Sequence, residues 1–296
     1  MGHTALKIDC HLHLSRKQLP GIGKMKISSA TNMLPHLAEL GIAHGILMSG
    51  AGSLPVGSNE ENRRIVEEDP EHYSWMCNPD LEKAAKQGGS FLDDFLAGCR
   101  EQGACGIGDL MYNKRLDTPV FERLFEAAGK LHLPCTFHMS PREGVSYGVV
   151  DEPGLVCLEK LLQAFPDTIF MGHSQVFWIE MSGDAPKDDK GRSAWGEGPV
   201  VPGGRVPELF AKYPNLHGDL SANSGSRAIM RDPAFGLQFL ETYQDRLVFA
   251  TDMLNVEMEF PLGKWLDEQV TADTLSQAAY DKICRDNAVR LYGIRL

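Results

Sequence analysis

The stretch "KIDCHLHLS" at residues 7–15 ends an apolar run with two histidines, His11 and His13, separated by one leucine. Side chains alternate faces along a strand, so residues two apart point the same way, with backbones roughly 6.6 Å apart. Two imidazoles can lean across that gap onto one divalent ion, at about 2.0–2.1 Å each. A third imidazole and a carboxylate would complete a site with one position open for water, as catalytic metal sites require. Four more apolar runs end in such groups: Asp109 in "GIGDL", His138 in "TFHMS", His173 in "MGHS" and Asp252 in "FATD". Each taken alone reads as a satisfied polar residue. Burying an unpaired histidine or aspartate is costly, however, and its recurrence at the same end of several strands argues for one shared cation. His3, His36, His44, His72, His132 and His217 fall at strand beginnings, in a helix or at the terminus, and read as structural.

These groups need a scaffold that gathers strand ends. Eight runs have strand character: 5–11, 43–49, 72–78, 104–110, 133–139, 168–174, 215–221 and 246–252. Most are apolar throughout, as strands covered on both faces should be. Between them lie helical patterns such as "TNMLPHLAEL", "SNEENRRIVEED", "FLDDFLAGCREQG", "TPVFERLFEAAGKL" and "PGLVCLEKLLQAF". "GRVPELFAKY", "PAFGLQFLETY" and "ADTLSQAAYDKICRDNAVRLYG" follow. Strict alternation predicts an α/β protein, a (β/α)8 TIM barrel, with residues 1–296 as one domain. In such a barrel the C-terminal strand ends meet at one mouth. The alternative, an open doubly wound sheet, lacks its glycine-rich phosphate loop after the first strand. Residues 177–204, rich in glycine, proline and charge, are too long for an ordinary connection and are expected to form a lid or insertion loop.

Bulk properties narrow the partners. The chain has 296 residues, 43% of them hydrophobic, enough for a large core. Its formal charge is −11, from 29 basic and 40 acidic residues, which disfavours nucleic acid. No apolar run is long enough to span a membrane, and the first residues lack the apolar stretch of a signal peptide. Seven scattered cysteines without a CxxC pair fit reduced thiols in the cytoplasm. The expected partner is a small-molecule substrate.

"IDCHLHL", "TFHMS", "MGHS" and "FATD", with "NAVRLYG" near the end, together resemble the amidohydrolase superfamily. The branch resembled is the amidohydrolase 2 group of metal-dependent hydrolases and decarboxylases related to aminocarboxymuconate-semialdehyde decarboxylase. The resemblance implies a distorted barrel holding one divalent metal ion, zinc first, with manganese or iron as options. It maps metal ligands onto His11, His13, His138 and Asp252, and places His173 beside the ion to polarise substrate or water. Binuclear members often carry a carboxylated lysine in strand four; this chain ends that strand in Asp109, and Lys114 lies beyond it. Asp109 is therefore expected to touch substrate, or else to bridge a second ion with His173. Members are often dimers or larger, so a homodimer or higher homo-oligomer is one expectation.

Two chemistries share this ligand set. In the first, Asp252 acts as general base for water attacking an amide, lactone or other ester, and His173 steadies the carbonyl oxygen. In the second, an unsaturated or aromatic acid loses carbon dioxide and Asp252 or His173 protonates the carbon. A third reading is an inert metal-binding barrel. Substrate contacts are expected from residues that follow strands: Arg142 in "MSPREG", Ser221, Asn223 and Arg227 in "SANSGSR", and Tyr112 and Trp178 as pocket walls. An arginine at the mouth would suit a carboxylated substrate.

Overall fold

The structure, a computed structural model, describes residues 6–19, 26–50 and 57–295; Ala5, where the expected first strand begins, and His3 lie outside them. The strands are β1 (Lys7–Leu12), β2 (Ile42–Leu47), β3 (Tyr73–Trp75), β4 (Ile107–Leu110), β5 (Cys135–Ser140), β6 (Val149–Val150), β7 (Phe170–His173), β8 (Leu216–Asp219) and β9 (Leu247–Val248). All pair in parallel, in two arcs, β1–β2–β3 and β4–β5–β7–β8–β9. Short main-chain links close both seams. The Cys77 amide donates to Gly106 at 2.9 Å, and the amides of Cys10 and Asp252 donate to Phe249 and His11 at 3.1 and 2.8 Å. The result is a (β/α)8 barrel in which each of the eight expected strands contributes one stave. The two-residue β6, which pairs with the end of β5, lies outside the expected set.

The helices are α1 (Ala30–Glu39), α2 (Asn59–Glu68), α3 (Leu81–Gln87), α4 (Phe91–Glu101), α5 (Pro119–Leu131), α6 (Val156–Ala164) and α7 (Gln175–Trp178). They continue with α8 (Asp189–Arg192), α9 (Arg205–Lys212), α10 (Ala222–Met230), α11 (Pro233–Thr242), α12 (Leu262–Thr271), α13 (Gln277–Asp281) and α14 (Asn287–Tyr292). Their starts obey local rules: the Ser58 hydroxyl accepts from the Glu61 amide and the Asp80 carboxylate from the Lys83 amide. The last expected helix is divided by a π-helical turn at Lys282–Asp286. Helices α3, α7, α8, α10 and α12 have no counterpart in the sequence reading.

The core has two layers. An outer layer fills the space between strands and helices, with Phe121, Phe125, Phe170 and Trp178 fully enclosed. An inner one fills the barrel with Ile8, Cys10, Ile46, Met48, Met76, Met171, Val248 and Ala250. Ala288, Leu291 and Tyr292 of α14, with Ile294, pack into this inner layer. Methionine adapts to irregular space, which suits an interior of unequal staves. Residues 177–204 do not begin as loop, because Phe177, Trp178 and Met181 are buried in the outer layer. Arg192, also buried, donates to the carbonyls of Pro141 and Asp151, both at 3.0 Å. At the base of the stretch the Gly183 amide donates to Val201 at 2.8 Å.

Candidate active site

In the β1–β2 ladder the register shifts between Asp9 and Leu12. Ile8 and Cys10 belong to the barrel interior and Leu12 to the outer layer. The shift thus resets the alternation and leaves His11 and His13 facing inward at the mouth. His11 is fully buried; its Nδ1 lies 2.6 Å from Asp219 Oδ2 and its Nε2 3.1 Å from His13 Nε2. Asp252 Oδ1 stands 3.3 Å from His13 Nε2 and 3.6 Å from His11 Nε2. Four ligands at about 2.0–2.1 Å from a tetrahedral ion are spaced about 3.3–3.4 Å apart. The observed spacings of 3.1, 3.3 and 3.6 Å fit that geometry.

Three further groups border this trio. His173 Nε2 is 3.9 Å from Asp252 Oδ2, and its Nδ1 is 2.9 Å from Ser221 Oγ. His138 Nδ1 is 3.9 Å from Asp109 Oδ2, and its ring centre is 5.2 Å from that of His173. Three sets have ligand atoms all within 4.8 Å of one another: His11, His173 and Asp252; His11, His13 and Asp109; Asp109, His138 and His173. His11, His13 and Asp252 therefore converge directly, whereas His138 groups with Asp109 and His173. Asp109 is buried, and its Oδ1 has no hydrogen-bond partner among the described residues, an orphaned acceptor of the kind a cation would satisfy.

The electrostatics call for positive charge. Burial works to lower the His11 pKa, but Asp219 and then Asp252 push it up to about 10. Burial works to raise the Asp252 carboxyl, yet the charge of His11 and the hydrogen bond from His13 hold it below the usual carboxylate range. Burial likewise works to raise Asp219, and His11 overrides it. Burial, then His173, drives His138 well below the ordinary histidine range. Either a proton on His11 or a metal ion meets this demand, and an ion would keep the imidazoles neutral as ligands. The donor set of imidazole nitrogens and carboxylate oxygens suits zinc, manganese or iron.

Two backbone positions carry strain here. Asp252 has φ +63° and Ser174, just after His173, has φ +86°. Such conformations in non-glycine residues cost on the order of 1–3 kcal/mol and persist where the surroundings enforce them. Around Asp252 they do, since the Thr251 hydroxyl and amide donate to the buried Asp9 carboxylate at 2.5 and 2.9 Å. Asp9 also receives the His11 amide at 3.1 Å, so one side chain ties the first strand to the last. Burial pushes Asp9 up to about 7 despite these bonds.

The expected substrate residues divide. Ser221 reaches the cluster through His173, which is why its hydroxyl does not cap α10. Asn223 lies half-buried in the first turn of the same helix. The other four have the following surroundings. Arg142 points into solvent and pairs with Asp189 at 2.9 Å. Arg227 lies over the Trp195 ring at 5.3 Å and faces Glu197. Tyr112 packs against Phe121 in the outer layer, with ring centres 6.0 Å apart. Trp178 is core, and its Nε1 donates to the Asp219 carbonyl at 3.0 Å, supporting the site from behind. Among the described residues, the ion pairs of His11, His13, Asp109, His138, His173 and Asp252 involve only histidine and aspartate. Sequence reasoning missed Asp219, although "NLHGDLS" ends its strand in an acid by the same rule that selected Asp109 and Asp252. It also missed Asp9.

The fold and this cluster define a (β/α)8 barrel with a candidate histidine–aspartate metal centre at its mouth. A family model described as amidohydrolase matches residues 8–294, so the chain belongs to the amidohydrolase 2 family, whose members are metal-dependent enzymes. No curated protein matches it. Solved structures with the same fold include 2,6-dihydroxybenzoate decarboxylase from Rhizobium, 15% identical, with a TM-score of 0.62 over 98% of this chain and 99% of that one. An amidohydrolase from Burkholderia multivorans with bound zinc is 16% identical, with a TM-score of 0.61 over 98% and 100% of the two chains. A probable 2-pyrone-4,6-dicarboxylic acid hydrolase from Acinetobacter baumannii is 12% identical, with a TM-score of 0.60 over 98% and 100%.

Proposed function

We propose that this protein is a metal-dependent hydrolase acting on an amide, lactone or other ester of a small molecule, with one divalent ion, zinc first, held by His11, His13 and Asp252. The observation that carries this reading is the convergence of His11 Nε2, His13 Nε2 and Asp252 Oδ1 at 3.1–3.6 Å, with the far nitrogen of His11 on Asp219. His138, across the mouth beside Asp109, is the fourth ligand of the proposal. Such an ion, when bound, supplies Lewis acidity and lowers the pKa of water toward about 7.

The chain's own groups have distinct tasks. The His11 Nδ1–H donates to Asp219, which fixes the tautomer and leaves Nε2 free as a ligand atom. Ser221 Oγ lies 2.9 Å from His173 Nδ1; in the tautomer this reading requires, the hydroxyl donates to Nδ1 and Nε2–H is left to donate to a substrate oxygen as negative charge grows on it. Asp252, depressed and therefore ionised, accepts the proton of the attacking water and returns it to the leaving group.

A second reading, non-oxidative decarboxylation of an aromatic or unsaturated acid, is favoured by one observation. Among the described residues Arg142 pairs with Asp189 and Arg227 lies over Trp195, so in this reading an acid engages the ligand cluster itself. The discriminating experiment uses zinc-loaded protein against lactones, esters, amides and aromatic acids, following acid release and carbon dioxide separately. Acid release without gas supports hydrolysis; gas from an aromatic acid supports the second reading; elemental analysis finding no metal removes both. All seven cysteines are free thiols, which supports a reducing compartment such as the cytoplasm. Among the described residues, no helix is long and apolar enough to cross a membrane.

A further inference from the structure

Beside the candidate ligands stands a large aromatic side chain with no assigned task. Tyr147 is 59% exposed, yet its ring centre lies 4.4 Å from that of His138, the planes inclined at 41°. It belongs to the loop between β5 and β6, and that loop is tightly tied. The Asn113 side chain receives the Gly144 amide at 2.6 Å and donates to the Gly148 carbonyl at 2.8 Å. The Gly148 amide donates to Met111 at 3.2 Å, and the Ser146 hydroxyl donates to Ser140 Oγ at 3.0 Å. Gly148 itself has φ +111°, and a Cβ there would stand 2.7 Å from the His138 carbonyl oxygen. Only glycine allows the chain to turn back so close to β5, and that turn sets the neighbouring ring over His138. On the far side β6 locks the register, pairing Met139 with Val149 and Ser140 with Val150.

A ring that remains largely in water while its backbone is held on both sides is poised to cover a ligand rather than to fill a core. Tyrosine offers a wide flat contact at small conformational cost, and aromatic rings prefer inclined or offset partners.

We infer that Tyr147 is a specificity-determining residue that forms the aromatic wall of the substrate position beside His138 and selects a planar, unsaturated ring over a saturated one. This rests on the metal-site reading above. The phenol oxygen is not required for the role; the ring face is.

The test uses full-length protein loaded with cobalt(II), its metal content measured, and titrated with benzoate and with cyclohexanecarboxylate, two acids of like size and charge. Calorimetry gives the affinities, and the visible cobalt bands report whether the acid reaches the ion. The wild type is expected to prefer benzoate by about three- to tenfold, the range of a single aromatic contact. Tyr147→Phe should keep that preference, and Tyr147→Leu, apolar but without an aromatic face, should abolish it with cobalt content unchanged. Equal affinities in the wild type, no binding of either acid to cobalt-loaded protein, or a preference that survives Tyr147→Leu would each overturn the inference while leaving the metal site standing. Failure to bind cobalt at all would remove the metal-site reading and this inference with it.

Discussion

At the scale of single residues, the site depends on groups that touch no ligand as much as on those that would. Asp219 fixes the tautomer of His11, and Trp178 holds the Asp219 backbone. Removing a carboxylate partner of a ligating histidine typically weakens metal affinity by about 10–100-fold. Asp219→Asn is therefore expected to lose zinc affinity by about that factor while its near-ultraviolet circular dichroism stays native; unchanged affinity in competition with a chelator would show that Asp219 does no such work. His13→Ala should lose the ion with little loss of fold, since His13 is only partly buried and at the mouth; retention of stoichiometric metal by elemental analysis would refute its assignment. At this scale much of the cluster was legible. His11, His13, Asp109, His138, His173 and Asp252 all stood out as polar groups ending apolar runs. For Arg142 and Arg227 the sequence shows which residues follow a strand but not which carboxylate each one meets. Asp189 and Glu197 are distant from them in the chain and near in space.

At the scale of elements, apolar runs flanked by helical patterns marked all eight staves, because strands buried on both faces have few alternatives. The helices that escaped notice are short or polar. "ANSGSRAIM" reads as loop by composition, yet forms α10, whose Ser224, Gly225, Ser226, Ala228 and Ile229 are buried by the packing around it. The stretch expected as a lid proves to be rooted in the core at its start and closed at its base by the Gly183–Val201 bond. Gly204 completes that base: a Cβ there would lie 1.9 Å from the Met181 carbonyl oxygen. Gly204→Ala is thus expected to cost about 2 kcal/mol or more through overpacking against backbone. Urea denaturation should show a lower midpoint with an unchanged slope, and a midpoint equal to wild type would mean that the base of the loop yields freely.

At the scale of the whole molecule, acid is the predicted weakness. His217, buried in β8, has its pKa pushed down to about 3 by burial, with Arg290 and Arg246 adding to the effect. The unfolded chain takes a proton on this histidine below about 6.5 and the folded one refuses it, so unfolding binds a proton throughout that window. The stabilisation is fully present above pH 6.5 and is lost as pH falls toward 3, amounting to a few kcal/mol in order of magnitude. His217→Asn, which cannot titrate, should show a shallower fall in urea midpoint between pH 7 and pH 4; parallel falls would assign the acid lability to other groups. Added zinc should raise the melting temperature with its concentration, as any ligand of the native state does. The barrel as a whole was legible because its strand–helix rhythm is global, whereas its seams were not, being made by isolated main-chain bonds without a sequence signature. One of those seams has a consequence for synthesis. Asp9 and Thr251 are 242 positions apart, so a chain leaving the ribosome exposes His11 and His13 long before their aspartate partner exists. A half-made polypeptide lacks Asp252 altogether, so an ion held as proposed would be a clasp that closes only on a finished ring.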